Sequence, residues 1–333
     1  MLDGRPTTST VMALVAAATI GATGFASAAQ LNLVSSIPLG PIAGEITDLE
    51  FDYANQRLFV LEHDSGAIAI IDLPTGTVVQ TLAGLKAPRG LAHEPPNSQL
   101  YVAMSDGKLA VLHGVPLQRT SILNIGTSLG PPYYDASSTR VFIGFDRRAI
   151  AVVDTAHNKA LHSIDLDGDP GPLAFEALGT RMFAGAVGEN RILVADRALG
   201  KQIGSWSTGG SGEVAALAVD EDAGLLIVAF RKPAGFAWFD LAGGSPKGRI
   251  DACAEPASLL ADSIRARFYL TCGEGRIQIF QRDAGGTYAN VGAIDTQPGA
   301  KAAVLAAGSG RLYLAVPAIS GRGAEIRIYA PGP

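Results

Sequence analysis

A short strand pattern recurs seven times along this chain of 333 residues, and few folds accommodate such a repeat. It reads Arg57-Leu-Phe-Val60, Gln99-Leu-Tyr-Val102, Arg140-Val-Phe-Ile143, Arg181-Met-Phe-Ala184, Gly224-Leu-Leu-Ile-Val228, Arg267-Phe-Tyr-Leu270 and Arg311-Leu-Tyr-Leu314. The equivalent residues Phe59, Tyr101, Phe142, Phe183, Ile227, Tyr269 and Tyr313 are spaced by 42, 41, 41, 44, 42 and 44 positions. That period is the length of one four-stranded propeller blade.

A second alternating strand follows each of these, as in Ile68-Ala-Ile-Ile-Asp72, Ile150-Ala-Val-Val-Asp154 and Phe236-Ala-Trp-Phe-Asp240. Shorter inner strands such as 46–51 precede each pair, and outer ones such as 78–82 follow most of them. Apolar residues at period two, with Gly, Pro, Asn and Asp at the breaks, are strand-and-turn chemistry. The seventh repeat ends with only three strands, and 31–39 is an orphan strand ahead of the first. The expected fold is therefore an all-β seven-bladed β-propeller, its ring closed by the amino-terminal strand completing the last blade. Closure removes the sheet edges that invite aggregation.

The blade pattern is also similar to a known repeat. Pro88-Arg-Gly-Leu-Ala92, Gln99-Leu-Tyr-Val102 and Leu109-Ala-Val-Leu112 together resemble the YVTN repeat of YncE-like propellers, and Ile70-Ile-Asp-Leu-Pro-Thr-Gly-Thr-Val-Val-Gln-Thr-Leu82 resembles its second half. The resemblance spans residues 29–333 and implies the seven-bladed fold. Functions in that family are mixed, so it carries no residue role over to this chain.

Residues 1–28 read as a secretory signal. Arg5 and the amino terminus precede the apolar stretch 11–22, and Ala26-Ser27-Ala28 offers a small-x-small cleavage site before Ala29. The rest, 29–333, is read as one propeller domain in a periplasmic or secreted protein, with no membrane span in the mature chain. In an oxidising compartment an even pair of cysteines favours a disulfide. Cys253 lies in the connection between blades 5 and 6, and Cys272 ends the second strand of blade 6, so both fall on one face of one blade. The net charge of −5 argues against a nucleic-acid partner.

In a propeller each inner strand starts at one face, here called the top, where loops between blades and loops between second and third strands gather. Sorting by face disposes of several motifs. Asp165-Leu-Asp-Gly-Asp169 with Glu176 imitates a calcium loop, but Pro170 stands where the turn needs Gly, and Glu176 falls at the bottom. Gly126-Thr-Ser-Leu-Gly130 matches a hydrolase elbow without the helix that motif requires. None of the histidines is spaced to hold zinc on one element. Asp72, Asp154, Asp196 and Asp240 recur ahead of turns and are expected to cap turn amides.

The charged residues expected at the top include Glu45, His63, Arg89, Asp146, Arg147, Glu189, Glu213, Arg231, Glu255 and Lys301. Their mixed signs favour a polar small-molecule ligand or a protein partner. The expected function is binding or scaffolding through the top face, with no cofactor and no metal. The alternative is a metal-dependent enzyme of lactonase or lyase type, with a cation held at the channel mouth by carboxylates such as Glu45, Glu213 and Glu255. A quinone-dependent or electron-transfer subunit would need a haem-attachment motif or repeated docking tryptophans, and only Trp206 and Trp238 are present.

Overall fold

The computed structural model describes residues 1, 30–40 and 44–332. The expected leader therefore lies, apart from Met1, outside the described residues. Seven four-stranded antiparallel sheets follow one another around a ring: blade 1 over 46–82, blade 2 over 88–124, blade 3 over 132–165, blade 4 over 170–207, blade 5 over 214–250, blade 6 over 256–295, and blade 7 from 303. Blade 7 takes its outermost strand, Leu31–Gly40, from the amino-terminal end, paired antiparallel with Ala324–Pro331. The ring closes as the repeat count requires. Among the described residues the only helical element is a single 3-10 turn, Ser263–Arg265, and none is a helix long and apolar enough to cross a membrane.

The strand patterns explain why the sheets stand on edge around the axis. The second strand of blade 1, Arg57–Glu62, is buried on both faces, whereas its outer strand, Thr77–Leu82, alternates exposed and half-buried. A sheet covered on both sides must meet a neighbour on each side. Accordingly the core is divided into seven apolar clusters, each filling the space between two adjacent blades. The repeated ring residues sit in these clusters: Phe59, Tyr101, Phe142, Phe183, Ile227 and Tyr269 are fully buried, and Tyr313 is 8% exposed.

In every blade the outermost strand pair carries a register shift, for example between Ile70 and Ile71 and between Val194 and Ala195. A bulge there twists the free edge away from straight pairing with another chain. At the bottom, Asp72, Asp154, Asp196 and Asp240 accept the amides of Thr75, Ala156, Leu199 and Gly243 at 2.8–3.0 Å, the turn-capping role their position implied.

Cys253 and Cys272 form a disulfide, with Cα atoms 6.1 Å apart and both side chains buried. Replacing both by Ser is expected to cost about 3 kcal/mol by freeing the unfolded chain, seen as a lower urea midpoint. An unchanged midpoint would show that the cross-link does not stabilise this blade.

Candidate functional site

Five of the ten charged residues expected at the top are ion-paired, four of them with one another. Lys301 Nζ lies 2.5 Å from Glu45 Oε1, bridging blades 7 and 1. Glu213 faces Arg231 at 3.4 Å within blade 5, and Glu189 takes the Arg191 Nε at 2.5 Å. The His63 ring contacts the Pro88 carbonyl through Nδ1 at 2.9 Å. Asp146 accepts the Thr127 hydroxyl and amide, which hold its carboxyl below the usual carboxylate range. Glu255 lies over Gly273, so close that a Cβ on that glycine would meet its Oε2 at 2.6 Å. Glu45, Glu213 and Glu255 thus do not converge. Among the described residues no three His, Cys, Asp or Glu side chains are grouped to hold a metal ion.

Arg89 and Arg147, with Arg148 beside it, behave differently. All three are exposed, and none has a carboxylate within 4.0 Å among the described residues. Asp146 and Arg147 both adopt the left-handed backbone conformation, with φ of 50° and 63°. Two such residues in succession build the tight turn that hairpins usually make with Asn-Gly. Here the strained turn presents a guanidinium on the top face.

Below Arg89 lies a cavity of about 470 Å³, lined by the inner strands of blades 1 to 3. The inner strand of blade 1, Ile46–Asp52, slips register between Ile46 and Asp48. From there its alternation turns Leu49 and Phe51 into the core shared with blade 7 and leaves Asp48, Glu50 and Asp52 on the side toward blade 2. Blade 2 answers with Arg89, Leu91 and His93. Asp52 at the bottom is fully paired: Arg57 donates at 2.6 Å, with Asn55 and Ser98 at 2.8 Å. Burial opposes its charge, but these donors hold the Asp52 carboxyl down at about 2.

Higher in the cavity the balance reverses. Asp48 accepts only two amides, from Leu91 at 2.7 Å and Leu49 at 2.9 Å, and burial lifts its carboxyl to about 6. Glu50 is pushed well above the ordinary range by burial and then by the neighbouring Asp48 charge. No cation faces either carboxyl within ion-pair distance among the described residues. The Tyr133 hydroxyl, at the far wall, is pushed up to about 12 by burial. Asp48, Glu50, His93 and Tyr133 fall outside the loop-based set expected from the sequence. The repeat itself carries a signal for one of them. In register with Glu50 the other blades place Ala92, Tyr133, Ala174, Ala218, Leu260 and Val304.

A second cavity, about 300 Å³, opens at the bottom between blades 5 and 6. Its charges satisfy one another: Arg282 reaches Asp220 at 2.8 Å, and Arg265 reaches Asp262 at 3.1 Å. It offers a ligand less than the first.

The Asp48 environment gives a direct test. Its folded value near 6 exceeds the ordinary 3.8, so protonation favours the fold. That contribution is complete below the unfolded value and is lost as pH rises through the folded one. Asp48→Asn keeps an acceptor for the Leu91 amide and is expected to stabilise the protein by about 1–3 kcal/mol at alkaline pH. Below the unfolded value the gain should vanish, and equal gains at both ends of a urea-melt pH series would contradict this account.

No protein-family model and no curated protein sequence matches the chain. Solved structures do, through the fold. A chain of the mitotic checkpoint complex is similar with a TM-score of 0.75 at 15% identity, covering 97% of this chain and 98% of that one. Hydrazine synthase from Kuenenia stuttgartiensis gives 0.71 at 14% identity, covering 83% of this chain and 95% of that one. Raptor from Chaetomium thermophilum gives 0.74 at 15% identity over 92% of this chain and 29% of that much longer one. At such identities the likeness concerns the seven-bladed propeller alone.

Proposed function

We propose that this chain is an exported binding module that holds a polar ligand or a protein partner at the top of the ring, over blades 1 to 3. The observation that carries the reading is a set of three exposed top-face arginines, Arg89, Arg147 and Arg148, with no carboxylate within 4.0 Å among the described residues, of which Arg89 lines the cavity, while Glu45–Lys301, Glu213–Arg231 and Glu189–Arg191 are paired. Unpaired guanidinium groups around a concave surface are suited to bidentate capture of carboxylate or phosphate groups. The buried Cys253–Cys272 disulfide and the leader-like residues 1–28 support an oxidising, extracytoplasmic location. Membership of the YncE-like YVTN propellers is part of the same reading, on the strand signatures of blades 1 and 2. The propeller in the mitotic checkpoint complex belongs to a protein assembly, and a ring of this kind suits the same use here.

Native mass spectrometry on protein exported with its own leader tests this. The expected result is a chain beginning at Ala29, two protons light from its bridge, carrying a bound species that is lost in Arg89→Ser/Arg147→Ser/Arg148→Ser. A species retained equally by that variant would place binding elsewhere on the ring.

A further inference from the structure

We infer that the cavity beneath Arg89 is a site for a small amino-acid-like zwitterion, its ammonium group held at Asp48 and Glu50 and its carboxylate at the Arg89 guanidinium. The inference rests on the binding reading above and specifies the chemistry of its ligand.

Three features carry it. The first is the lack of compensation. Elsewhere around the ring, carboxylates on or just past the inner strands find side-chain donors in the protein itself: Asp52 in Arg57, Asp135 in Arg197, Glu176 in Arg181, Asp220 in Arg282, and the buried Glu94 in the Asn97 amide. Asp48 and Glu50 have no such partner, although burial penalises both charges. A carboxyl pair of this kind demands either protons or an external cation.

The second is His93, a cavity-lining side chain only 6% exposed, whose Nε2 has no hydrogen-bond partner. Its nearest acid is Asp52, with Nε2 at 3.9 Å from Oδ1, beyond hydrogen-bond reach. Burial lowers its basicity, Asp52 opposes that, and Arg57 reinforces it. A neutral imidazole left this way is an unsatisfied polar group in the wall of the cavity.

The third is polarity along the cavity. Acids lie on the blade 1 wall, and an exposed, unpaired arginine stands at the lip on blade 2. A divalent cation would need more oxygen ligands than these two side chains supply. A simple amine would leave Arg89 unused, and a simple carboxylate would leave the acids unused. A molecule with both charges uses both ends, and about 470 Å³ accommodates a small ligand with some water.

Isothermal titration calorimetry on the mature protein tests the inference with glycine, 4-aminobutanoate and 6-aminohexanoate, using butylamine, butanoate and calcium chloride as controls. At least one amino acid is expected to bind ten-fold or more tightly than either one-ended analogue. Glu50→Gln should lower that affinity at least ten-fold, and Arg89→Gln should lower it to the level of the amine. Both substituted side chains lack an ion pair in the free protein, so both variants should fold, which thermal melting verifies. Binding should also release protons, read from heats in buffers of different ionisation enthalpy, because the ammonium displaces them from the acid pair. Calcium binding that blocks the amino acids, equal affinity for butylamine, or affinity unchanged by Glu50→Gln would each overturn the assignment. If no amino acid binds but the species seen by native mass spectrometry persists, this inference fails and the top-face reading stands. If neither is seen, both fail.

Discussion

Arg197→Ala should destabilise the protein by about 3–5 kcal/mol, the range for stranding a buried charge. Arg197 is 5% exposed and stands in the bottom turn of blade 4. It pairs with Asp135 of blade 3, donates to the carbonyls of Glu176 at 2.7 Å, Gly179 at 2.6 Å and Thr180 at 3.1 Å, and lies 5.4 Å over the Phe175 ring. Removing it leaves three carbonyls short of a donor and an acid buried with only Ser137 and Ser138. Burial works against the Asp135 charge, while those hydroxyls and Arg197 outweigh it and hold the group below its ordinary value. Stability from Asp135 is therefore present above the unfolded carboxylate value and is lost as pH falls through the folded one. The loss in Arg197→Ala should accordingly shrink in acid. Urea melts of Arg197→Ala, Asp135→Asn and the double variant should show strong coupling. Additive losses would mean that the pair is not a unit.

Deleting the strand Leu31–Gly40 should have an effect of similar or greater size. The strand buries Leu31, Ile37 and Leu39, each at 5–6% exposure. At about 1.5–3 kcal/mol per buried aliphatic side chain, the loss is roughly 5 kcal/mol or more. The deletion also bares the ladder edge of Ala324–Pro331, a template for pairing with another copy. The expected outcome is a lower melting temperature with dimers or larger species by light scattering. A circular permutant that joins residue 333 to residue 30 and opens the chain between blades 3 and 4 keeps the strand and should remain monomeric. A truncated chain as stable as the parent would show that the ring does not depend on this closure.

The architecture is legible in the sequence because it repeats. Phe59 and its six counterparts mark the ring at a fixed period, and a strand missing at one end matches a strand spare at the other. The disulfide is legible for a related reason, since the repeat assigns Cys253 and Cys272 to one face of one blade. The site is legible only in part. Loop position alone brings Glu45, Arg231 and Lys301 to the top, but it does not show that Glu45 and Lys301 spend their charges on each other across the closing seam. That depends on how two blades are rotated against one another. The channel acids are hidden differently. Asp48 and Glu50 occupy alternate positions of an ordinary half-polar strand, and the bulge at Ile46–Asp48 resets which face they take. Only comparison with the in-register Ala92, Ala174 and Ala218 shows Glu50 to be out of character.

The closing strand also imposes an order of events on synthesis. Leu31–Gly40 precedes all seven repeats in the chain, yet its partner, Ala324–Pro331, lies in the seventh and is made after six blades. Until then the first strand has no ladder to join, and blade 7 lacks its outer edge. Bringing the two together closes a loop almost as long as the chain, an entropic cost that grows only slowly with length but is met late. The ring is thus withheld from completion until blade 7 has been made.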